Sequence, residues 1–192
     1  MNRFESVIAD IDNENAQDPN LNSEGQPEGL VYGVRMSAQL DEFLPEASEY
    51  LKIAARAQHL RRWEIPREAY PLDRKGYLTW RTELKRFHAK LAGKLMERYG
   101  YSELEVQQVG NLILKKNLKT NADSQTLEDV VCLVFLTYYL GDFVNKHAGE
   151  REKILSILQK TWTKMSEKAH QKALAIAFEP KIRALIADAL GA

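Results

Sequence analysis

The chain has 192 residues, of which 44% are hydrophobic and 28% charged, with one cysteine and a formal net charge of zero. This composition excludes a disordered or low-complexity chain, and the length fits one globular domain. Because Cys132 is the one cysteine in the sequence, we expect no disulfide framework. Residues 1–6 contain no apolar signal segment, and no run reaches roughly 20 apolar residues. We therefore expect no membrane partner and a cytoplasmic location.

Apolar residues recur at helical spacing from residue 30 onward, and no run alternates apolar with polar residues. The sequence therefore predicts an all-α fold, a single helical-bundle domain over 1–192 with about seven to eight helices. An acidic helix and an extended loop (1–30) precede the core (31–145). Helices are predicted at 2–14, 31–43, 45–62, 77–99, 103–116 and 127–140, with a polar turn at 118–124 and C-terminal helices within 146–192.

Local signals mark where several of these helices begin and end. Gly100 follows helix 77–99 at the position of a C-terminal cap, and Ser102 with Glu105 forms a capping-box pattern for the next helix. The segment 127–140 is apolar on nearly every side, which indicates a buried central helix.

Charge is unevenly distributed along the chain. Residues 1–50 carry 2 basic and 11 acidic side chains, whereas residues 56–98 carry 12 Lys or Arg against 5 Asp or Glu. The basic segment contains a loop at 63–76, and a loop of this length inside a compact domain is more often functional than idle. The pattern indicates either a local anion site or a basic segment that the acidic N-terminal region neutralises by folding against it.

Polar side chains also occur where the pattern demands apolar ones. His88 lies four residues after Leu84 and three before Leu91, which places it on the core side of its helix. A buried carboxylate is costly unless it is paired or bound to a metal, and helices of a bundle can bring imidazole and carboxylate groups to one divalent ion. The candidate metal ligands are His59, His88, Asp129, Gln58 and Glu128.

Each of these residues also has a purely structural interpretation. An inward histidine such as His88 is often a hydrogen-bonded core residue. Glu128 and Asp129 lie at the start of an apolar helix, where the helix dipole alone favours carboxylates, and Asp129 could pair with Arg62 or Arg86. A third interpretation is a polar network that only anchors the loop 63–76.

Three strings carry a distant family resemblance. Residues 54–60 (AARAQHL), 86–96 (RFHAKLAGKLM) and 127–133 (LEDVVCL) resemble, in order and spacing, the metal-binding helices of HD-domain phosphohydrolases. The resemblance implies an HD-like core and a divalent metal: manganese, magnesium, zinc or iron. It places Gln58 and His59 at the His-Asp doublet of that family, Asp129 at its last metal aspartate and His88 at an additional histidine. Gln58 stands where the family has a ligand histidine, and His59 where it has an aspartate.

A second resemblance covers nearly the whole chain. Residues 55–67 (ARAQHLRRWEIPR), 76–88 (GYLTWRTELKRFH) and 125–133 (QTLEDVVCL) are similar to an uncharacterised bacterial and fungal family, the domain of unknown function 4202 (DUF4202). This resemblance implies no particular activity.

These observations support two hypotheses. The first is a diverged HD-like metal-dependent phosphohydrolase that acts on a small phosphorylated substrate, a nucleotide, with His59, His88 and Asp129 as catalytic residues. The second is a non-catalytic nucleotide- or RNA-binding module on the same scaffold. Both predict that these three side chains converge in one cleft covered by the loop 63–76. The residues expected to bind substrate or phosphate are Arg62, Arg67, Arg81, Lys85, Arg86, Trp63 and Trp80.

Overall fold

The computed structural model describes residues 1–116, 118 and 120–191. Apart from one isolated bridge between Leu21 and Pro27, every regular element in these residues is helical, which confirms the all-α prediction. The described residues contain ten α-helices, more than the seven or eight expected. The chain divides into two compact units, Met1–Leu127 and Glu128–Ala192.

The first unit is built on long amphipathic helices. Its core consists of fully buried aliphatic side chains, among them Ile11, Leu40, Leu51, Leu95 and Ile113. The helices are α1 (Arg3–Asn15), α2 (Glu28–Phe43), α3 (Glu49–Arg56), α4 (Arg74–Arg98), α5 (Glu103–Ile113) and the beginning of α6 (Ala122–Val134).

The predicted signals around Gly100 and Ser102 are present. Gly100 adopts a left-handed backbone with φ of 76°, directly after Tyr99, the residue that caps the C-terminus of α4. Ser102 accepts a hydrogen bond from the backbone N–H of Glu105, whose carboxylate accepts one from the backbone N–H of Ser102. This reciprocal capping box fixes the start of α5.

The predicted helix 45–62 is shorter in the structure. It begins at Glu49, because the Ser48 hydroxyl accepts a hydrogen bond from the backbone N–H of Leu51 and so caps α3 there. The α-helix ends at Arg56 and continues as one 3-10 turn to His59.

Two further boundaries differ because a side chain caps a helix earlier than periodicity indicates. Helix α4 begins at Arg74 rather than Tyr77, since Asp73 accepts a hydrogen bond from the backbone N–H of Gly76 at 2.6 Å. Helix α6 begins at Ala122, inside the predicted turn 118–124. Lys119 of that turn lies outside the described residues.

The second unit contains the rest of α6 and the C-terminal helices. A π-helical turn (Phe135–Tyr139) follows α6, and the helices α7 (Leu140–Lys146), α8 (Arg151–Trp162), α9 (Glu167–Leu174) and α10 (Pro180–Leu190) follow in order. Val130, Leu133, Val134 and Leu140 are buried, as expected for the apolar segment 127–140. Cys132 is buried, and its sulfur lies 3.8 Å from the carbonyl oxygen of Thr161.

Candidate functional site

His88 lies on the core side of α4 and is 3% exposed. Its Nδ1 lies 2.8 Å from the backbone carbonyl oxygen of Leu60. Because a carbonyl oxygen only accepts, Nδ1 carries the proton, and Nε2 is the basic nitrogen. Burial lowers the pKa of His88 to about 4, with smaller effects from Arg62 and Arg81. The imidazole is therefore neutral at physiological pH.

His59 is the last residue of the 3-10 turn after α3 and stacks on Tyr32 of α2. The ring centroids are 3.5 Å apart and the ring planes are inclined by 13°. Burial lowers the pKa of His59 well below its ordinary value, and the positive charges of Arg62, Arg81 and a protonated His88 lower it further. His59 is therefore a second neutral imidazole within electrostatic reach of the first.

Besides burial, two arginines, Arg62 and Arg81, lower the pKa values of both histidines by their positive charge. Arg62 comes three residues after His59 and lies over the ring of Trp80, 4.7 Å from the ring centroid. Burial lowers the pKa of Arg62, and the neighbouring positive charge of Arg81 lowers it further. We refer to Tyr32, His59, Arg62, Arg81 and His88 as the imidazole–guanidinium cluster.

The ring of Trp80 packs against the guanidinium group of Arg62. Trp80 is buried on α4, and its indole N–H donates a hydrogen bond to the carbonyl oxygen of Ile65 at 2.9 Å. Arg67 holds the following loop by donating to the carbonyl oxygens of Tyr70 and Pro71. Trp80 therefore fixes the loop and provides the aromatic face under Arg62, and Arg67 serves the loop backbone.

Glycine at position 76 allows this loop to lie against the start of α4. A Cβ at this position would overlap the carbonyl oxygen of Pro71, so only glycine permits the close approach of the two backbones.

The acidic N-terminal region neutralises part of the basic segment. Asp12 of α1 forms a two-pronged ion pair with Arg56, with both N–O distances 2.6 Å. Asp10 and Glu14 each form a single contact, with Arg98 at 3.6 Å and with Arg61 at 3.1 Å. Arg62 and Arg81 are half-buried and form no ion pair with any residue that the structure describes. Arg67 and the exposed Arg74 also form none there, but the Arg67 guanidinium donates to backbone carbonyls. The neutralising interpretation therefore holds for Arg56, Arg61 and Arg98, and the anion site stays a prediction.

The two predicted acidic ligands belong to the second unit. The Asp129 carboxylate accepts hydrogen bonds from the backbone N–H and the hydroxyl of Ser166, at 2.7 Å and 2.5 Å. Ser166 in turn caps α9. The buried Glu128 carboxylate lies 3.7 Å from the ammonium nitrogen of Lys164. The convergence of His59, His88 and Asp129 stays a prediction.

The described residues do not fit a three-ligand metal centre. Across residues 1–116, 118 and 120–191, no group of three or more His, Cys, Asp or Glu side chains is placed to hold an ion. Gln58, which was also a predicted metal ligand, donates its amide N–H to the carbonyl oxygen of Ala54. We therefore derive no step through a metal.

The remaining predicted substrate-binding residues have other surroundings. Arg86 is exposed and pairs with Glu83 one turn earlier on α4. Trp63 is half-buried near Gly29, and Lys85 is half-buried on α4.

Two aromatic residues of this region were not among the predicted site residues. Tyr32 forms the stack with His59, and Tyr77 is 45% exposed on α4, with its ring centroid 5.8 Å from that of Trp80. The helical spacing of Tyr77 and Trp80 could have suggested their proximity, whereas no local signal pairs Tyr32 with His59.

Comparison with known proteins gives a family match. The family model described as "Domain of unknown function (DUF4202)" matches residues 5–186. No curated protein and no solved structure matches the chain. In the described part of the chain, none of the helices combines the length and apolar character that crossing a bilayer requires.

Proposed function

Because the chain belongs to the DUF4202 family, whose description assigns no function, we propose one from its side chains: the imidazole–guanidinium cluster binds the phosphate of a small phosphorylated ligand, a nucleotide. The observation that carries the proposal is the pair of arginines, Arg62 and Arg81, that lack a carboxylate partner among the described residues. A partly buried guanidinium without a counter-charge is costly, and a bound anion removes that cost.

Other arginines of this unit have different surroundings: Arg67 donates to backbone carbonyls, Arg74 is exposed, and five more have carboxylate partners. Arg3, Arg56, Arg61, Arg86 and Arg98 all form ion pairs with carboxylates of the same unit. Besides burial, the positive charge of Arg81 lowers the pKa of Arg62, which supports a short separation between the two guanidinium groups. Two adjacent guanidinium groups suit a phosphate, because each can donate two parallel hydrogen bonds to its oxygens.

The aromatic residues favour a nucleotide over inorganic phosphate. Tyr77 offers an exposed ring next to Trp80, and the Trp80 ring lies under Arg62. A base stacked on Tyr77 would leave its phosphate near the cluster, and stacking of this kind is tolerant of base identity.

Titration calorimetry with AMP, ADP, GDP and inorganic phosphate tests the proposal. We expect R62Q and R81Q each to weaken nucleotide binding about tenfold or more, which corresponds to about 1.4 kcal/mol. R98Q is the matched control, since Arg98 lies on α4, the helix that carries Arg81, and pairs with Asp10. Y77A should weaken nucleotide binding while inorganic phosphate binding stays unchanged.

A result in which R62Q and R81Q bind every nucleotide as tightly as the parent protein would contradict the proposal. A 5′-phosphorylated oligoribonucleotide compared with its unphosphorylated form separates RNA binding from mononucleotide binding. Retention of both forms with equal affinity would favour a backbone-tracking RNA module over a phosphate site.

Hydrolysis of the bound phosphate is a second candidate function, and the neutral histidine pair favours it. A neutral imidazole can accept a proton from an attacking water, and His88 has its tautomer fixed by the carbonyl of Leu60. A pKa near 4 makes His88 a weak base, but a bound phosphate dianion would raise that pKa.

Turnover measurements decide between binding and catalysis. The purified protein is screened for phosphate release with and without manganese, alongside elemental analysis of its metal content. For an enzyme, H59A and H88N abolish turnover while nucleotide binding is retained. If neither the metal-free nor the manganese-supplemented protein releases phosphate from a nucleotide that it binds, hydrolysis is wrong and binding stands.

A further inference from the structure

A second feature belongs entirely to the unit Glu128–Ala192. A cavity of about 400 Å³ lies among α8, α9, α10 and the segment that joins α9 to α10. This volume falls within the roughly 300–1,000 Å³ of pockets that hold small molecules. Its wall is largely apolar, and the larger side chains include Leu136, Leu158, Leu174, Ile176, Phe178 and Ile186.

One charged side chain lines this cavity. Arg183 of α10 forms no ion pair and no side-chain hydrogen bond with any residue in the described part of the chain. Arg183 is exposed, as is Arg151, the other arginine of this unit, which is paired with Asp188. Arg183, Ile186 and Leu190 are spaced by three and four residues and therefore share one face of α10.

An aromatic residue, Trp162, also lines the cavity. Trp162 ends α8, and its ring stacks on His170 of α9 with centroids 4.1 Å apart and planes inclined by 6°. The His170 Nε2 also bonds the carbonyl oxygen of Trp162 at 2.9 Å. The indole N–H of Trp162 has no hydrogen-bond partner among the described residues, so it remains available to a ligand oxygen.

We propose that this cavity binds an aliphatic carboxylate of about ten to twelve carbons, with the chain among the apolar side chains and the carboxylate on Arg183. The length follows from the volume, since roughly 30 Å³ per non-hydrogen atom gives roughly thirteen atoms. The carboxylate follows from the single unpaired guanidinium, which matches one carboxylate with two parallel hydrogen bonds. A phosphate dianion carries two negative charges, and the one guanidinium group of this cavity would neutralise only one of them.

Quenching of Trp162 fluorescence by 12-bromododecanoate, below its micelle concentration, measures binding at this position. The other two tryptophans, Trp63 and Trp80, belong to Met1–Leu127. We expect saturable quenching with one site per chain, and we expect W162F to lose the saturable component. Quenching that rises linearly without saturation would overturn the proposal.

Two variants test the role of the charge. R183Q should weaken binding of the carboxylate about tenfold or more while its circular dichroism and Tm match those of the parent. R151Q is the matched control, and its binding should equal that of the parent protein. The neutral analogue 12-bromododecanol should bind the parent and R183Q equally and weakly. If R183Q binds 12-bromododecanoate as tightly as the parent, the assignment of the carboxylate to Arg183 is wrong.

Discussion

At the scale of single residues, two imidazoles are kept uncharged by their surroundings. His88 is buried under the loop that follows Leu60 and uses one ring nitrogen to hold that loop. His59 is stacked on Tyr32 and is subject to the positive field of Arg62. A neutral imidazole beside a guanidinium avoids repulsion between two cations and still offers a donor or an acceptor to a bound anion.

The low pKa of His88 predicts a pH-dependent stability. The folded pKa of about 4 lies below the ordinary 6.5, so the unfolded chain binds more protons between these values. The free energy of unfolding therefore falls as pH falls from 6.5 to 4 and loses no more from this residue below 4. For His88 alone we expect a loss of about 2 kcal/mol between pH 7.5 and pH 5.

Urea unfolding across this pH range, on the parent and on H88N, checks the prediction. Asparagine can keep a donor near the position of Nδ1 but does not titrate, so H88N should show a shallower loss of stability between pH 6.5 and 4. Parallel curves for the two proteins would show that His88 does not bind its proton more weakly in the folded state.

At the scale of elements, α1 determines how the segment after α3 presents Arg62. Asn15, fully buried at the end of α1, accepts a hydrogen bond from the backbone N–H of Arg61 at 3.0 Å. Arg61 adopts a left-handed backbone with φ of 50°, and its side chain pairs with Glu14. The helix therefore cannot continue past this residue, and Arg62 is turned out of the helical path.

Removal of the Asn15 side chain should loosen this turn. N15A leaves the Arg61 N–H without its partner, and we expect the free energy of unfolding to fall by about 1–3 kcal/mol. Nucleotide affinity should fall as well, because Arg62 follows directly. N13A is the control, since Asn13 is exposed on the same helix. Equal stability of N15A and N13A would contradict this role of α1.

The helices were predictable where their signals are local. The capping box of Ser102 and Glu105 spans three residues, and the inward position of His88 follows from its spacing to Leu84 and Leu91. Such patterns depend on neighbours within one or two turns, and the chain itself displays them.

The turn after α3 was not predictable, because a distant residue holds it. Residues 57–62 have a composition that a helix accepts, and the hydrogen bond that holds the left-handed turn at Arg61 comes from Asn15, 46 residues earlier. Hydrophobic periodicity also cannot predict the contact between Asp129 and Ser166, which are 37 residues apart. Sequence spacing therefore predicted several of the helices but not which of the many arginines would remain without a carboxylate.

At the scale of the whole molecule, the net charge of zero coexists with an excess of positive charge in residues 56–98. The net charge is zero, so long-range attraction of nucleic acid is not favoured. The carboxylates of α1 pair with Arg56, Arg61 and Arg98 and do not reach Arg62 or Arg81. Two half-buried arginines without an ion pair among the described residues, near neutral histidines, support the proposed binding of a small anion.

The side-chain NMR signals of these two arginines test this account most directly. The Nε–Hε resonances, assigned with R62Q and R81Q, are followed while ADP is titrated into the parent protein. The account predicts that the Arg62 and Arg81 signals shift together and saturate at one ADP per chain, while that of Arg98 stays in place. If ADP saturates the protein without moving the Arg62 and Arg81 signals, the imidazole–guanidinium cluster is not the phosphate site.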